Sequence, residues 1–397
     1  MMTMLIGIVA KPNTGKSTFF KAATLMDVAI GNRPFVTIKS NEGVAYVKIN
    51  CIDAELKTQC NPRFGSCIQH QRFIPIRLMD VPGLAVGAHE GRGLGYEFLN
   101  DIGQADALIH VIDIAGSTNQ DGEPVPAGSY DPVNDAKFLE TELDYWYHGI
   151  LTKNWEKFTR KLAGEKAKLT QALAQQYSGL RITEGHVKLA IHGLKLDEEH
   201  PDKWSGEQIK KFCSMLRRYS KPMLIAANKI DKGGEENLKR LQQQFPSYII
   251  IPCSADAELA LREAQKHEII DYIPGDKSFT IKKEIPAEQK KVLDFIQENV
   301  LDKFGSTGVQ QALNNAVFDL IKYIAVYPGG VGKLEDSEGR RLPDCFLLPP
   351  RSTALDFAYK IHKDLGDNFV KAIDVKTKMP LGKEHQLKHR DIIEIKT

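Results

Sequence analysis

The chain has 397 residues, a length that predicts two or three domains rather than one compact core. An apolar fraction of 42% with 26% charged residues excludes disorder throughout, and a formal net charge of +2 excludes a dominant positive field toward nucleic acid. The apolar runs fall short of the roughly 18 residues that cross a bilayer. No export signal is visible and the cysteines are sparse, so we expect a cytoplasmic protein without a membrane partner.

Short apolar runs separated by helix-length segments predict a parallel sheet that is covered by helices on both faces. These runs are 4–10, 43–49, 76–81, 107–114, 222–228 and 248–253. A long insertion separates two of them, and apolar residues recur in it with helical spacing, first from Leu139 to Ile150 and then from Trp155 to Leu173. We predict an antiparallel helical hairpin there, followed by a third helix over 208–218.

Two further helices are predicted over 286–300 and 308–323, and a Pro-Gly-Gly sequence after them ends the helical pattern. The C-terminal part begins at this point. The tail has the pattern of a small α+β module with a helix over 353–364. We therefore predict four segments: the first part of the sheet domain (1–128), a helical insertion (129–220), the second part of the sheet domain with trailing helices (221–324), and a C-terminal domain (325–397).

A phosphate-binding loop follows the first predicted strand. The sequence AKPNTGKST matches the pattern GxxxxGK[ST], except that Ala10 replaces the first glycine. Backbone N–H groups would surround phosphate oxygens, Lys16 would neutralise the β- and γ-phosphates, and the Ser17 hydroxyl would coordinate Mg²⁺. The loop residues predicted to bind nucleotide are Asn13, Thr14, Gly15, Lys16, Ser17 and Thr18.

Three further motifs stand at the ends of predicted strands, where a ligand in the crevice of the sheet would lie. DVPG offers the Asp80 carboxylate to Mg²⁺ and the Gly83 N–H to the γ-phosphate. NKID ends in Asp231, whose carboxylate can accept from N1–H and the exocyclic amine of guanine, donors that adenine lacks at those positions. CSA, which ends at Ala255, offers a backbone N–H to the base carbonyl. The residues predicted to surround the base are Asn228, Lys229, Asp231, Ser254 and Ala255.

These motifs, the sequence GAHEGRGLG after DVPGL and the helical insertion resemble the Obg family of GTPases, most closely its YchF subfamily of Obg-like ATPases. The tail resembles a TGS domain, a ubiquitin-like β-grasp module, through Pro349 and the sequence TALDFAY. The resemblance implies an α/β P-loop G domain with an inserted helical domain and a TGS domain. It also implies a switch that hydrolyses GTP to GDP and acts with ribosomes or RNA. The ATP-preferring branch has an altered base motif, whereas NKID is intact, so we expect GTP.

The resemblance also assigns catalytic and ion-binding roles. Leu84 stands where Ras-like GTPases have a water-orienting glutamine, which implies slow intrinsic hydrolysis with His89 or Arg92 as a substitute, His89 being favoured by the subfamily's pattern. PFVT resembles the first-switch segment PFTT, so Thr37 would bind Mg²⁺ and the γ-phosphate. Asn13 stands where potassium-dependent relatives carry asparagine, which implies K⁺. The predicted catalytic residues are Lys16, Thr37, Gly83 and His89, and the predicted magnesium ligands are Ser17, Thr37 and Asp80.

Two clusters lie outside these motifs. Cys51, Cys60, Cys67 and His70 form a ligand set for tetrahedral Zn²⁺, but without a CxxC pair, so a Cys60 to Cys67 disulfide and free thiols stay open. In the tail, basic residues can form an RNA-facing surface or simply a solvated face. They are Lys360, His362, Lys363, Lys371 and Lys376.

Other functions stay open at this point. One is an ATP-hydrolysing regulator of the same fold, and another is an RNA-binding module whose nucleotide site is only structural. A small-molecule P-loop kinase would need an acceptor pocket and a lid, for which the sequence has no signal that competes with NKID.

Overall fold

The computed structural model describes residues 4–24, 42–81, 101–165 and 167–397. Its central sheet has seven strands in the order β2-β4-β1-β5-β6-β7, with β3 beside β4. β1, β4, β5, β6 and β7 run parallel, whereas β2 and β3 run antiparallel to β4. The strands are β1 (Leu5–Val9), β2 (Glu42–Asn50), β3 (Ser66–Ile68), β4 (Gln71–Asp80), β5 (Ala107–Asp113), β6 (Met223–Asn228) and β7 (Ile250–Pro252).

Burial explains why the inner strands are apolar without alternation. Every residue of β1, β5 and β6 is buried, because the sheet is covered on both faces. Helix α1 (Lys16–Thr24) begins directly after the loop that follows β1 and buries Phe19 and Phe20. The predicted α/β sheet domain is therefore confirmed.

The insertion is helical as predicted, but within the described residues it contains five α-helices rather than a hairpin with one following helix. The helices are α2 (Val133–Thr152), α3 (Trp155–Glu165), α4 (Leu169–Gln176), α5 (Glu184–Leu194) and α6 (Gly206–Ser220). The apolar series from Trp155 to Leu173 spans two helices rather than one, because a break separates α3 from α4. Trp204 packs between Trp155 and Phe212, with ring centroids 5.5 Å and 5.1 Å apart, and so joins the helices in one core.

The second part of the sheet domain continues with α7 (Glu235–Gln244) and α8 (Ala255–Lys266). A hairpin that the sequence analysis missed follows, with β8 (Ile270–Tyr272) and β9 (Phe279–Ile281). The two predicted trailing helices are present with altered bounds. The first comprises α9 (Ala287–Ile296), a π-helical segment and α10 (Asp302–Phe304), and the second comprises α11 (Val309–Asn314) and another π-helical segment.

The C-terminal domain is a five-stranded sheet in the order β11-β10-β14-β12-β13, with two short helices. Its elements are β10 (Ile324–Pro328), β11 (Phe346–Leu348), α12 (Ala354–Ile361), α13 (Lys363–Asp367), β12 (Lys371–Asp374), β13 (Pro380–Leu381) and β14 (Ile392–Lys396). Thr353 caps α12 in a capping box with Asp356, and Phe357 fills the core beneath it. The division of the chain at 128, 220 and 324 stays a prediction.

The C-terminal sheet packs against the outer strands of the central sheet. Tyr327, Leu342 and Ile392 lie in one hydrophobic core with residues of β2 and β4, such as Ile49 and Ile74. Across the ranges that the structure describes, no helix combines the length and the apolar character needed to span a membrane.

Candidate nucleotide site

The phosphate-binding loop lies at the carboxyl end of β1, and Lys16 is the first residue of α1. Gly15 has a φ of +93°, and a Cβ atom there would lie 2.3 Å from the Asn228 side-chain nitrogen. Only glycine fits this position, because it tolerates the left-handed conformation and leaves room for the neighbouring amide. The loop therefore approaches the NKID motif closely.

Lys16 and Asp80 face each other at this edge of the sheet. Asp80 is the last residue of β4, which pairs with β1 in parallel and places Ile8 beside Asp80. Lys16 Nζ forms an ion pair with Asp80 Oδ1. The structure thus brings together the cation predicted for the phosphates and the carboxylate predicted for magnesium, with exposed Ser17 as the next residue of the helix.

Asn228, at the end of β6, joins three of the predicted motifs. Its Nδ2 donates to Thr14 O over 2.9 Å, and its Oδ1 accepts from Ala255 N over 2.9 Å. Lys229 Nζ donates to Asn13 O over 2.8 Å and to Asp113 Oδ2 over 2.9 Å. The base motif is therefore fastened to the phosphate loop through both of its first two side chains.

Asp231 has the feature expected of a base-recognition carboxylate. Its Oδ1 atom is buried and has no hydrogen-bond partner among the described residues. A buried carboxylate oxygen without a donor is costly, so this atom is suited to accept hydrogen bonds from a ligand.

Ser254 and Ala255 are already engaged within the protein. The Ser254 hydroxyl caps α8 by accepting from Ala257 N, and its own N–H donates to Thr307 O over 2.8 Å. The Ala255 N–H donates to Asn228. Contact of this segment with a base carbonyl stays a prediction.

The segment 118–135, which follows β5, forms hydrogen bonds with the phosphate loop, and the sequence analysis missed it. Lys11 is buried there, donates to Asp135 Oδ1 over 2.8 Å and to Thr118 O over 3.0 Å, and lies 4.0 Å from the centre of the Tyr130 ring. Asn13 Nδ2 donates to Gly122 O over 2.8 Å. The only sign of this segment in the sequence is a second lysine in the phosphate loop. The partners of that lysine lie more than a hundred residues further along the chain, so they could not be assigned from the sequence.

Asp113 links this segment to the base motif. Burial raises the pKa of its carboxyl, but hydrogen bonds from Ser117, Lys229 and Thr118 lower the pKa further, so that it lies below its usual value. The carboxylate is therefore a fixed negative charge that positions Lys229.

Thr37, Gly83, Leu84, His89 and Arg92 lie outside the described residues, so their roles stay predictions.

The cysteine cluster is assembled with one change from the predicted ligand set. All six cysteines of the chain are free, and no disulfide joins Cys60 to Cys67. The ligand atoms of four residues lie within 4.8 Å of one another, and we call this group the thiol pocket: Cys51, Asp53, Cys60 and Cys67. His70 is not in the group, which corrects the prediction, because its Nδ1 instead lies 2.9 Å from Asp53 Oδ1.

The basic residues of the tail do not all face solvent freely. Lys376 lies 3.5 Å from Glu55 in the sheet domain, and His362 accepts a hydrogen bond from Asp364 N as the cap of α13. Burial lowers the pKa of Lys360. Lys363 and Lys371 are exposed.

Comparison with known proteins follows the same order along the chain. Residues 5–135 match the 50S ribosome-binding GTPases, residues 226–330 match the G4 motif-containing domain of Obg-like GTPases of the YGR210-like type, and residues 332–397 match the TGS domain. A GTP-binding protein of Methanocaldococcus jannaschii is 46% identical over 98% of both chains. The chain is also 30% identical to the ribosome-binding ATPase YchF of Mycoplasma genitalium, over 67% of this chain and 70% of that one. It belongs to the Obg family of GTPases, in the YchF subfamily.

The crystal structure of a GTP binding protein from Pyrococcus horikoshii OT3 has a TM-score of 0.80 at 40% identity, covering 99% of this chain and 100% of that one. The YchF GTPase of Schizosaccharomyces pombe has the same fold, with a TM-score of 0.60 at 18% identity over 99% and 98% of the two chains. The predictions of a P-loop G domain, a TGS domain and a nucleotide hydrolase that uses Mg²⁺ are confirmed at the level of the family.

Proposed function

We propose that this protein is a switch that binds GTP with Mg²⁺, hydrolyses it to GDP, and selects guanine over adenine through Asp231. The observation that carries the proposal is the buried Asp231 Oδ1 atom, which has no donor among the described residues and follows an asparagine fixed to the phosphate loop. Guanine presents two N–H donors to such a carboxylate. Adenine presents neither, so it would leave the carboxylate unsatisfied.

At the phosphate end of the site, nucleotide binding is proposed to break the ion pair between Lys16 and Asp80 and to give each side chain a new partner. Lys16 would leave Asp80 and bind the β- and γ-phosphates, while Asp80 and Ser17 would hold Mg²⁺ together with Thr37. The bound Mg²⁺ would supply positive charge to the phosphate oxygens. The Gly83 N–H would meet the γ-phosphate, so that hydrolysis releases the contacts of both switch segments.

Hydrolysis is proposed to be slow, because Leu84 cannot accept a hydrogen bond from water. His89 would orient the water in its place, and its removal should lower kcat by about 100-fold with nucleotide affinity retained. Asn13 would place K⁺ beside the phosphates. A KCl-dependent rate that the Asn13→Ala variant lacks would support this role, and equal rates in KCl and NaCl would contradict it.

Exchange of one atom in Asp231 tests base selection. Asn in place of Asp offers one donor and one acceptor, a pattern that fits xanthine, whose C2 carbonyl replaces the guanine amine. Asp231→Asn should lose about 100-fold or more in GDP affinity and gain affinity for xanthosine diphosphate, because hydrogen bonds to charged groups contribute about 1.5–3 kcal/mol each. Calorimetric titration measures both values.

A matched control for this variant is Asp271→Asn, which removes a carboxylate that is 70% exposed and lies in the β8–β9 hairpin. It should bind GDP like the parent protein. GDP affinity that is unchanged in Asp231→Asn would overturn the proposed base contact.

We also propose a cytoplasmic protein that acts on ribosomes or RNA, with the helical insertion and the TGS domain making the contact. The match to ribosome-binding GTPases and the similarity to the ribosome-binding ATPase of Mycoplasma genitalium support this partner. Cosedimentation with ribosomes should depend on whether GDP or a non-hydrolysable GTP analogue is present, and Lys16→Ala should abolish that dependence. Sedimentation that ignores the nucleotide would contradict a switch and favour an RNA-binding module.

A further inference from the structure

The loop between β2 and β4 gathers thiols at the place where the C-terminal domain docks. Cys51 directly follows β2, Cys60 lies in the loop, and Cys67 is in the middle of β3. Cys51 and Cys60 are 1% and 4% exposed, and the Asp53 side chain is fully buried. Cys67 is half-buried, so three of the four residues of the thiol pocket lie in the interior and the fourth lies at its edge.

The spacing of the pocket atoms fits a tetrahedral metal ion. Zinc binds sulfur at about 2.3 Å and carboxylate oxygen at about 2.0–2.2 Å, so tetrahedral ligands place two sulfurs about 3.8 Å apart and a sulfur and an oxygen about 3.5 Å apart. Cys51 Sγ and Cys60 Sγ are 3.6 Å apart. Cys67 Sγ and Asp53 Oδ2 are 3.4 Å apart.

A buried arginine lies against the pocket. Arg72 is 1% exposed, and no carboxylate forms an ion pair with it among the described residues. Its guanidinium instead donates to Cys60 Sγ over 3.4 Å and to the carbonyls of Leu342 and Pro343. A buried cation is stabilised by nearby negative charge, and a Zn²⁺ ion held by three cysteine sulfurs and one carboxylate would carry a net negative charge beside this guanidinium. Tyr327 adds a hydroxyl 3.6 Å from Cys51 Sγ.

His70 has the position of an outer partner of the ligand group. Its Nδ1 lies 2.9 Å from Asp53 Oδ1, while the other carboxylate oxygen faces the thiols and accepts from Cys60 N over 2.9 Å. Contacts of this kind fix the orientation of a ligating side chain. The imidazole would thus hold the carboxylate in place rather than bind the metal.

We propose that the thiol pocket binds a structural Zn²⁺ ion with three cysteine sulfurs and one aspartate oxygen. Binding replaces the thiol protons by the metal, and these protons pass to solvent. All four positions are filled by the protein, so the site has no open position for a substrate and acts as a structural zinc. Arg72 of the central sheet contacts the pocket and the C-terminal domain, and Tyr327 of the C-terminal domain contacts Cys51, so the ion would fasten that domain to the central sheet.

Metal analysis of the purified full-length protein tests the proposal. We expect about one zinc per chain by mass spectrometry without added metal, and about a tenth of that or less in Cys60→Ala. Cys213→Ala is the matched control, because Cys213 is equally buried but lies in the helical insertion. It should keep its zinc. His70→Ala should bind zinc about 10- to 100-fold more weakly.

Cobalt titration of the metal-stripped parent protein gives a second readout that does not depend on folding of a variant. One equivalent of Co²⁺ should produce the intense visible bands of tetrahedral thiolate coordination, and Zn²⁺ should displace them. Parent protein without zinc that also fails to give these bands would overturn the proposal. So would zinc content that stays unchanged in Cys60→Ala.

Discussion

Asn228 holds the nucleotide site together through both ends of its amide. Asn228→Ala would leave the buried Thr14 carbonyl and Ala255 N–H without partners, at about 1–3 kcal/mol each. We expect the unfolding free energy to fall by about 2–6 kcal/mol and GDP binding to be lost. Urea unfolding and calorimetry measure the two effects. Asn299 is half-buried and its side-chain hydrogen bonds lie at the surface, so Asn299→Ala should change neither, and equal losses in both variants would contradict the assignment.

His110 makes stability depend on pH. Burial, and secondarily Lys11, lowers the pKa of this histidine from 6.5 to about 3. The unfolded chain therefore takes up a proton near pH 6.5, whereas the folded chain does not. Proton uptake by the unfolded chain lowers the free energy of unfolding. Stability is therefore unaffected by His110 well above pH 6.5 and falls by about 2 kcal/mol between pH 7 and pH 5.

Urea unfolding at pH 7 and pH 5 checks this difference. His110→Gln should lose about 2 kcal/mol less than the parent protein over that interval. The exposed His385→Gln should follow the parent. A His110→Gln variant with the parent's pH dependence would show that His110 is not the titrating group.

The residue types that form the nucleotide site could be predicted from the sequence, but the hydrogen bonds and ion pairs that hold them in place could not. Lys16 and Asp80 could be placed together because both follow strands of a parallel sheet. The contacts of Lys11 with Asp135 and of Asp53 with His70 depend on loop conformation. No periodic pattern in the sequence encodes such contacts, so His70 was assigned as a ligand instead of Asp53.

At the level of elements, a buried arginine joins the last helix of the insertion, α6, to its first helix, α2. Arg217 of α6 is 2% exposed in its side chain and pairs with Asp144 and Glu140 of α2, over 2.8 Å and 3.1 Å. Arg217→Ala should cost about 3 kcal/mol of unfolding free energy, because it leaves partly buried carboxylates without their cation. Denaturant unfolding measures the loss.

Its neighbour Arg218 is a matched control. The Arg218 side chain is 58% exposed and lies 3.8 Å from Glu140, so Arg218→Ala should cost less than about 0.5 kcal/mol. Similar losses in the two variants would show that burial does not set the strength of this ion pair.

Helix and strand prediction succeeded where the apolar pattern was long and failed where it was short. Six strands of the central sheet lie within a few residues of their predicted positions, whereas β3, which has three residues, was missed. Helix α5 was missed, because histidine and glycine interrupt its apolar face, although Thr183 caps it with a capping box. The hairpin of β8 and β9 has strands of three residues, too short for an alternating pattern to be recognised.

Over the whole molecule, the buried Arg72 of β4 joins the central sheet to the C-terminal domain. Arg72→Met keeps the apolar stem but leaves the carbonyls of Leu342 and Pro343 unpaired, at about 1–3 kcal/mol each. The C-terminal domain should then detach more readily. Limited proteolysis should cut the variant faster over 329–345.

The control for this docking contact is Arg63→Met. The Arg63 side chain is 39% exposed, and its guanidinium pairs with Asp336 and Asp344 of the same segment. It should be cut at nearly the parent's rate. Equal cleavage of both variants would mean that surface charge, and not the buried guanidinium, holds the domain.

The central claim is that the nucleotide site is built for guanine, and direct calorimetry of the parent protein with GDP and ADP in Mg²⁺ tests it most directly. We predict that GDP binds about 100-fold or more tightly than ADP, because only guanine satisfies Asp231. Equal affinities, or tighter binding of ADP, would contradict this account and make the protein an adenine-nucleotide hydrolase of the same fold.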